Sequence, residues 1–197
     1  MREYDVETVS GEFWEAFEKS RKKLTSREVI FLSESNAIED VTDSESLFHA
    51  MKAWQYIKEV KALSIETVLQ THKILMQNQA LSPEEKGQFR KRPVFIRYKE
   101  KLNWEEVPSN ILSWTYKMNL TADQTYDKEN EEQLNKELHV QYEEIHPFAD
   151  GNGRTGRIFM NWWRLKRGMP ILVIENSKKQ DYYVWFQEIG KSIKSSG

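Results

Sequence analysis

His146-Pro-Phe-Ala-Asp-Gly-Asn-Gly-Arg-Thr-Gly-Arg157 is the densest run of chemistry in the chain. Its twelve positions hold an imidazole, a carboxylate, an amide, three glycines and two arginines. Pro147 disfavours the α conformation at His146, so a preceding helix must end at Ile145 and leave the imidazole at the mouth of a loop. Gly151 and Gly153 lack Cβ, which lets backbone N–H groups turn inward and approach a ligand closely. The loop opens into a further helix, whose free N–H groups and positive dipole end favour an anion such as phosphate. Arg154 and Arg157 lie on one face of its first turn, where both forks reach phosphate oxygens. Asp150, beside such an anion, is the natural ligand for a magnesium ion on the same phosphates. His146, with an unperturbed pKa near ~6.5, suits general-base work at neutral pH. These parts specify a polyphosphate cradle with a base poised next to one phosphorus.

Helical periodicity surrounds this segment. Leu134, Leu138, Tyr142 and Ile145 form an amphipathic stripe that runs into it, and 158–166 continues out of it until Gly168-Met-Pro170. Upstream, Leu47, Met51, Trp54 and Ile57 repeat at helical spacing behind Thr42-Asp-Ser-Glu45, which reads as a capping box. Ile65, Leu69, His72 and Leu75 do so behind Ser64, and Ile111, Trp114 and Met118 behind Pro108. Phe13, Trp14 and Phe17 mark a first helix, 26–39 a second, and 182–193 the last, with a frayed tail after it. Strand signals are few. Pro93-Val-Phe-Ile-Arg-Tyr98 alternates and predicts half of a small hairpin, while 171–174 reads equally as a strand or a buried connection. The fold class expected is all-α, a helical bundle with one small β-hairpin.

Composition sets the outer bounds. The 197 residues fit one domain, and a net charge of −2 argues against a nucleic-acid or membrane-surface partner. The longest apolar run, Tyr182 to Phe186, is far below the ~20 residues of a spanning helix. The first residues lack the apolar stretch of a secretory signal. The absence of cysteine excludes thiolate chemistry and predicts a cytoplasmic location. Rival motifs fare poorly. Gly151-x-Gly153-x-x-Gly156 imitates a dinucleotide fingerprint, but only 22 residues follow Glu175 and no buried strand precedes the glycines. A metal site of His139, Glu143 and His146 lacks a fourth ligand, and His139 reads better as a packed helix residue.

Residues 146–157 resemble the signature of the Fic family, His-x-Phe-x-Asp/Glu-Gly-Asn-Gly-Arg-x-x-Arg, with every specified position filled. The likeness covers roughly 45–190 and divides the chain into an N-terminal helical segment, 1–44, and a core, 45–197. Fic enzymes typically transfer AMP from ATP to a hydroxyl of a target protein. The resemblance implies that His146 takes the proton of a target Tyr, Thr or Ser as its oxygen attacks the α-phosphate. Phe148 would anchor the loop, and Asp150 would hold Mg2+. Asn152 and the N–H groups of Gly151, Gly153 and Arg154 would form the anion hole. Arg154 would bind the β-phosphate and Arg157 the γ-phosphate. Phosphate-transferring relatives tend to carry Lys where Gly153 stands, which favours nucleotide transfer.

The family also places a β-hairpin flap before the signature to clamp the target by strand addition. Residues 87–102 occupy that place, with Val94, Phe95 and Ile96 as the docking residues and Tyr98 continuing the alternation. Many relatives carry an inhibitory helix, Ser/Thr-x-x-x-Glu-Gly/Asn, which Ser35-Asn-Ala-Ile-Glu39 matches up to Asp40. Glu39 would pair with Arg157 and withdraw it from the γ-phosphate. Tyr182 and Tyr183 are the candidates for the adenine pocket, near Lys178 and Lys179. The activity implied is an autoinhibited protein adenylyltransferase acting on a target protein, with homodimers common among relatives. Removal of AMP from a modified target, or nucleotide binding without catalysis, are the alternatives.

Overall fold

Residues 10–96, 99–124 and 126–195 are described by the structure, a computed structural model. Helix α1 (Gly11–Arg21) starts at Ser10, whose hydroxyl accepts the Phe13 N–H. Helix α2 (Ser26–Ile38) starts at a reciprocal capping box between Thr25 and Glu28. Helix α3 (Ser44–Lys58) is capped by Asp43, which accepts the Ser46 N–H at 2.7 Å and the Ser46 hydroxyl at 2.7 Å. The cap therefore sits one residue beyond the box expected at Thr42, because Asp is the stronger N-cap and Ser46 supplies it with a second donor. Helix α4 (Ile65–Leu75) follows Ser64.

The hairpin is short. β1 (Phe95–Ile96) pairs antiparallel with β2 (Lys99–Glu100), in the register Phe95 to Glu100 and Ile96 to Lys99. Arg97 and Tyr98, with the alternation expected at Tyr98, lie outside the described residues. A 3-10 turn at Trp104–Glu106 leads into α5 (Val107–Asp123), with Pro108 in its first turn. Helices α6 (Lys128–Ile145), α7 (Asn152–Lys166) and α8 (Lys179–Ser195) complete the chain. A mainly helical fold with one small hairpin is what the sequence predicts. Residues 171–174 form no strand: Asn161 brackets them, accepting the Leu172 N–H at 2.7 Å and donating to the Leu172 carbonyl at 3.0 Å.

Helix α7 is the axis of the bundle. It packs against α2, α3, α4, α5 and α6, and every residue from Arg154 to Arg164 is buried. A helix with no solvated face must satisfy its polar side chains internally. Arg164 does so through a two-pronged pair with Glu132 at 2.7 and 2.9 Å and the Pro170 carbonyl at 2.8 Å. Trp162 and Trp163 donate to the Val60 carbonyl and the Thr121 hydroxyl. Phe17, Phe31 and Leu32 join the same apolar core as Trp54 and Trp162, so the helices before and after position 44 share one interior. Among the described residues no helix is long and apolar enough to cross a membrane.

Candidate functional site

The loop between α6 and α7 is held from beneath and from the side. His146 closes α6 in the left-handed conformation, φ 50° and ψ 63°, whereas Pro147 by itself only bars a further right-handed helical residue and favours extended backbone there. Arg90, itself buried, donates from Nε to the His146 carbonyl at 2.7 Å, and its other nitrogens reach the carbonyls of Ile145, Arg92 and Leu102. One guanidinium thus ties both feet of the hairpin to the turn that presents His146. Phe148 is fully buried and stacks on His72 with ring centroids 3.7 Å apart and planes 8° from parallel. The Asn152 amide clasps the loop, accepting the Phe148 N–H and donating to the Phe148 carbonyl, both at 2.9 Å.

His72 is the underlying brace. Its Nδ1 accepts the Gly87 N–H at 2.9 Å, so the ring hydrogen is on Nε2, 3.0 Å from the Asp150 carbonyl. Burial pushes its pKa down to about 4 against the upward pull of Asp150. Burial and Arg157 push His139, bonded through Nε2 to the Tyr182 hydroxyl at 2.7 Å, down to about 3. In an unfolded chain these rings titrate near ~6.5, so below that pH the unfolded state binds more protons and stability falls with pH until the folded values are passed. His146, pushed down to about 4, acts in the same direction, and Glu143, pushed up to about 7, in the opposite one. With three such histidines against one glutamate, thermal melting followed from about pH 7 to about pH 4.5 is expected to show a steep drop in Tm. A flat profile would mean that the buried rings accept protons in place.

A cavity of about 460 Å3 opens over the start of α7. His146, Gly153 and Arg157 line it, together with Glu39, Ile96, Tyr182 and Tyr183. Residues expected from four separate stretches of sequence therefore converge on one space. Lys101, Glu143, Phe186 and Gln187 complete the wall. Arg157 is buried and encircled: Nε donates to the Ser35 hydroxyl at 2.8 Å, and Nη2 donates to the Ser35 carbonyl and to Glu39 Oε1, each at 2.8 Å. Nη1 reaches the Tyr182 hydroxyl at 3.4 Å. Glu39 needs Gly153 for this approach, since a Cβ there would stand 2.3 Å from Oε1. Glu39 is the C-cap of α2, and Asp40 follows in the left-handed region at φ 58°. The N–H groups of Asp40 and Val41 return to the carbonyls of Ala37 and Asn36, the two bonds of a Schellman ending.

Other predicted residues stand off the cavity. Asp150 is exposed, with Oδ1 accepting the Gly151 N–H at 2.7 Å and Oδ2 3.9 Å from Arg154 Nη2. Arg154 is buried against Gln79 and Met76. Asn152 points into the loop, where its amide serves the loop's shape in place of the anion contact expected of it. Val94 is half-buried, and Phe95 is exposed. Among the described residues no three His, Asp or Glu side chains converge as a metal cage. A single exposed carboxylate beside a helix N-terminus fits a magnesium ion that brings phosphates and waters as its remaining ligands.

Four residues of this site carry no motif signal. His72 reads as part of an apolar helical stripe, Lys101 as part of a polar run after the alternating segment, Arg90 carries no pattern, and Glu143 enters only as a member of the rejected metal set. Comparison with known proteins adds the rest. A family model described as Fic/DOC family matches residues 62–163, just over half of the chain. A protein of Nematostella vectensis named protein adenylyltransferase Fic is 27% identical over 136 residues, 67% of this chain and 30% of that protein. Protein adenylyltransferase fic-1 of Caenorhabditis elegans is 26% identical over 126 residues, 64% of this chain and 24% of that one. The chain thus spans less than a third of the length of these relatives. The crystal structure of a Fic-domain signaling protein from Bacteroides thetaiotaomicron superposes with a TM-score of 0.67 at 21% identity, covering 90% of this chain and 75% of that one. That likeness is one of fold.

Proposed function

The chain belongs to the Fic/DOC family, and on that premise we propose that it is a protein adenylyltransferase that moves AMP from ATP to a hydroxyl of a target protein. The observation that carries this reading is the convergence of His146, Gly153 and Arg157 on one cavity at the N-terminus of a buried helix. The target oxygen attacks the α-phosphorus, the new O–P bond forms as the bond to the β-phosphate oxygen breaks, and pyrophosphate leaves. His146 accepts the hydroxyl proton. The N–H groups that open α7, with Arg154 and Arg157, meet the phosphates. Asp150 would hold Mg2+, which would neutralise phosphate charge. Tyr183 and Phe186 offer an aromatic wall to the base, while the Tyr182 hydroxyl is engaged by His139 and Arg157. The hairpin, with Ile96 facing the cavity, receives the target as an added strand. Glu39 restrains the reaction by occupying Arg157 and covering Gly153.

The test uses ATP labelled at either the α or the γ phosphate, magnesium, and the Glu39→Gly protein. Label retained on protein from the α position alone is the expected result. Retention from the γ position would make the enzyme a phosphotransferase. No retention from either, with ATP still bound, would favour AMP removal or a non-catalytic module, and release of AMP from a modified substrate separates those two.

A further inference from the structure

Glu143 stands on α6 one turn before His146 and has no role in the reaction just described. Its Oε2 lies 3.9 Å from His146 Nδ1. Its other oxygen, Oε1, and His146 Nδ1 are both buried without a hydrogen-bond partner. Both residues face the same cavity. The carboxylate reaches this position past Gly156, where a Cβ would stand 2.5 Å from Oε1. The sequence thus leaves room for a buried acid beside the base.

For His146 to accept a proton at Nε2, its ring hydrogen must reside on Nδ1, and a buried N–H requires an acceptor. We propose, resting on the adenylyl-transfer reading, that Glu143 is a positioning residue that accepts the Nδ1–H of His146, fixing its tautomer and stabilising the imidazolium formed during transfer. The proton balance is simple: the target hydroxyl gives its proton to Nε2, Nδ1–H stays on the ring, and Glu143 stays ionised. Closing the present gap to hydrogen-bond length takes a shift of about 1 Å, of the kind that catalytic contacts undergo on substrate binding. The rival acceptor is the main-chain carbonyl of Glu143, which also faces the ring.

The surroundings set when Glu143 is ionised. Burial pushes its carboxyl up to about 7, with Glu39 and Glu144 adding to the rise and Arg157 and Lys101 opposing it. Tyr182 and His139 face it as neutral groups, their own shifts set by burial. Burial, Lys101 and Arg90 hold His146 at about 4, against the pull of the Glu143 carbonyl and Asp150. The acidic limb of activity should therefore follow Glu143, gaining rate as pH rises through about 7.

The experiment compares Glu143 with Glu143→Gln in the Glu39→Gly background, measuring kcat/KM for α-labelled transfer against pH. In this background the limb should lie below about 7, because Glu39 no longer adds to the rise; with Gln it should vanish and kcat should fall about 10-fold or more, with KM for ATP within about two-fold. Nitrogen NMR of His146, assigned by its loss in His146→Asn, gives a readout independent of activity. Its ring-nitrogen shifts should report the Nδ1–H tautomer while Glu143 is ionised and should change as Glu143 titrates, a step that Glu143→Gln should lack. An unchanged pH profile and unchanged titration would overturn the proposal and leave the main-chain carbonyl as the acceptor. Failure of transfer even with Glu143 intact strikes the adenylyl-transfer reading instead, while the NMR titration still decides the pairing.

Discussion

Replacing His146 by Asn is expected to lower AMP transfer by about 10²–10⁴-fold, the range that a positioned general base contributes. Asn is the informative substitution because position 146 lies at φ 50°, a conformation that His and Asn tolerate and that strains Ala. The variant keeps the left-handed turn, the Arg90 bond to the main-chain carbonyl and the Phe148 anchor, none of which involves the imidazole. ATP affinity should therefore stay within a few-fold of wild type, and the melting temperature should be close to unchanged. Transfer at the wild-type rate with Asn at 146 would show that the target hydroxyl loses its proton without His146. A collapse in both ATP binding and melting would show instead that the ring is a structural plug.

How much of this was legible in sequence differs by residue. The ends of α6 and α7 were, because Pro147 and the glycines act locally and leave few conformations open. The Ser35 to Glu39 motif could be placed on a helix end, and the structure brings it to Arg157, a partner 118 positions away. That encounter depends on α2 lying against α7, which periodicity alone does not specify. Asn152 shows the limit from the other side. Its residue type suggests an anion ligand, yet its amide is taken up by both main-chain groups of Phe148. Arg90 and His72 had no signal because each acts through main-chain carbonyls or N–H groups distant in sequence, and such partners leave no pattern in side-chain identity. The buried carboxylate at Glu143 is hidden for a related reason. Its burial follows from the missing side chain of Gly156 on the facing helix.

Substituting Glu39 by Gly should raise α-labelled automodification by at least about 5–30-fold, the change that corresponds to about 1–2 kcal/mol. The magnitude follows from the contact removed. A hydrogen bond to a charged partner contributes roughly 1.5–3 kcal/mol, and partial solvent exposure lowers that figure. Glu39 is such a case, with its side chain 38% exposed while that of Arg157 is 2% exposed. Two further effects act in the same direction. Glu39 places a carboxylate against Gly153, where the phosphates would lie, and its removal relieves both the steric block and the like-charge repulsion. Activation should stay finite, because Ser35 continues to bind Arg157 through its hydroxyl and its carbonyl. A Ser35→Ala exchange removes only the hydroxyl bond, leaves Glu39 in place and should therefore activate less than Glu39→Gly. Equal labelling of wild type and Glu39→Gly over a range of ATP concentrations would show that the ion pair does not limit transfer. Arg157 would then be a structural residue of α7 whose pairing with α2 does not restrain the reaction.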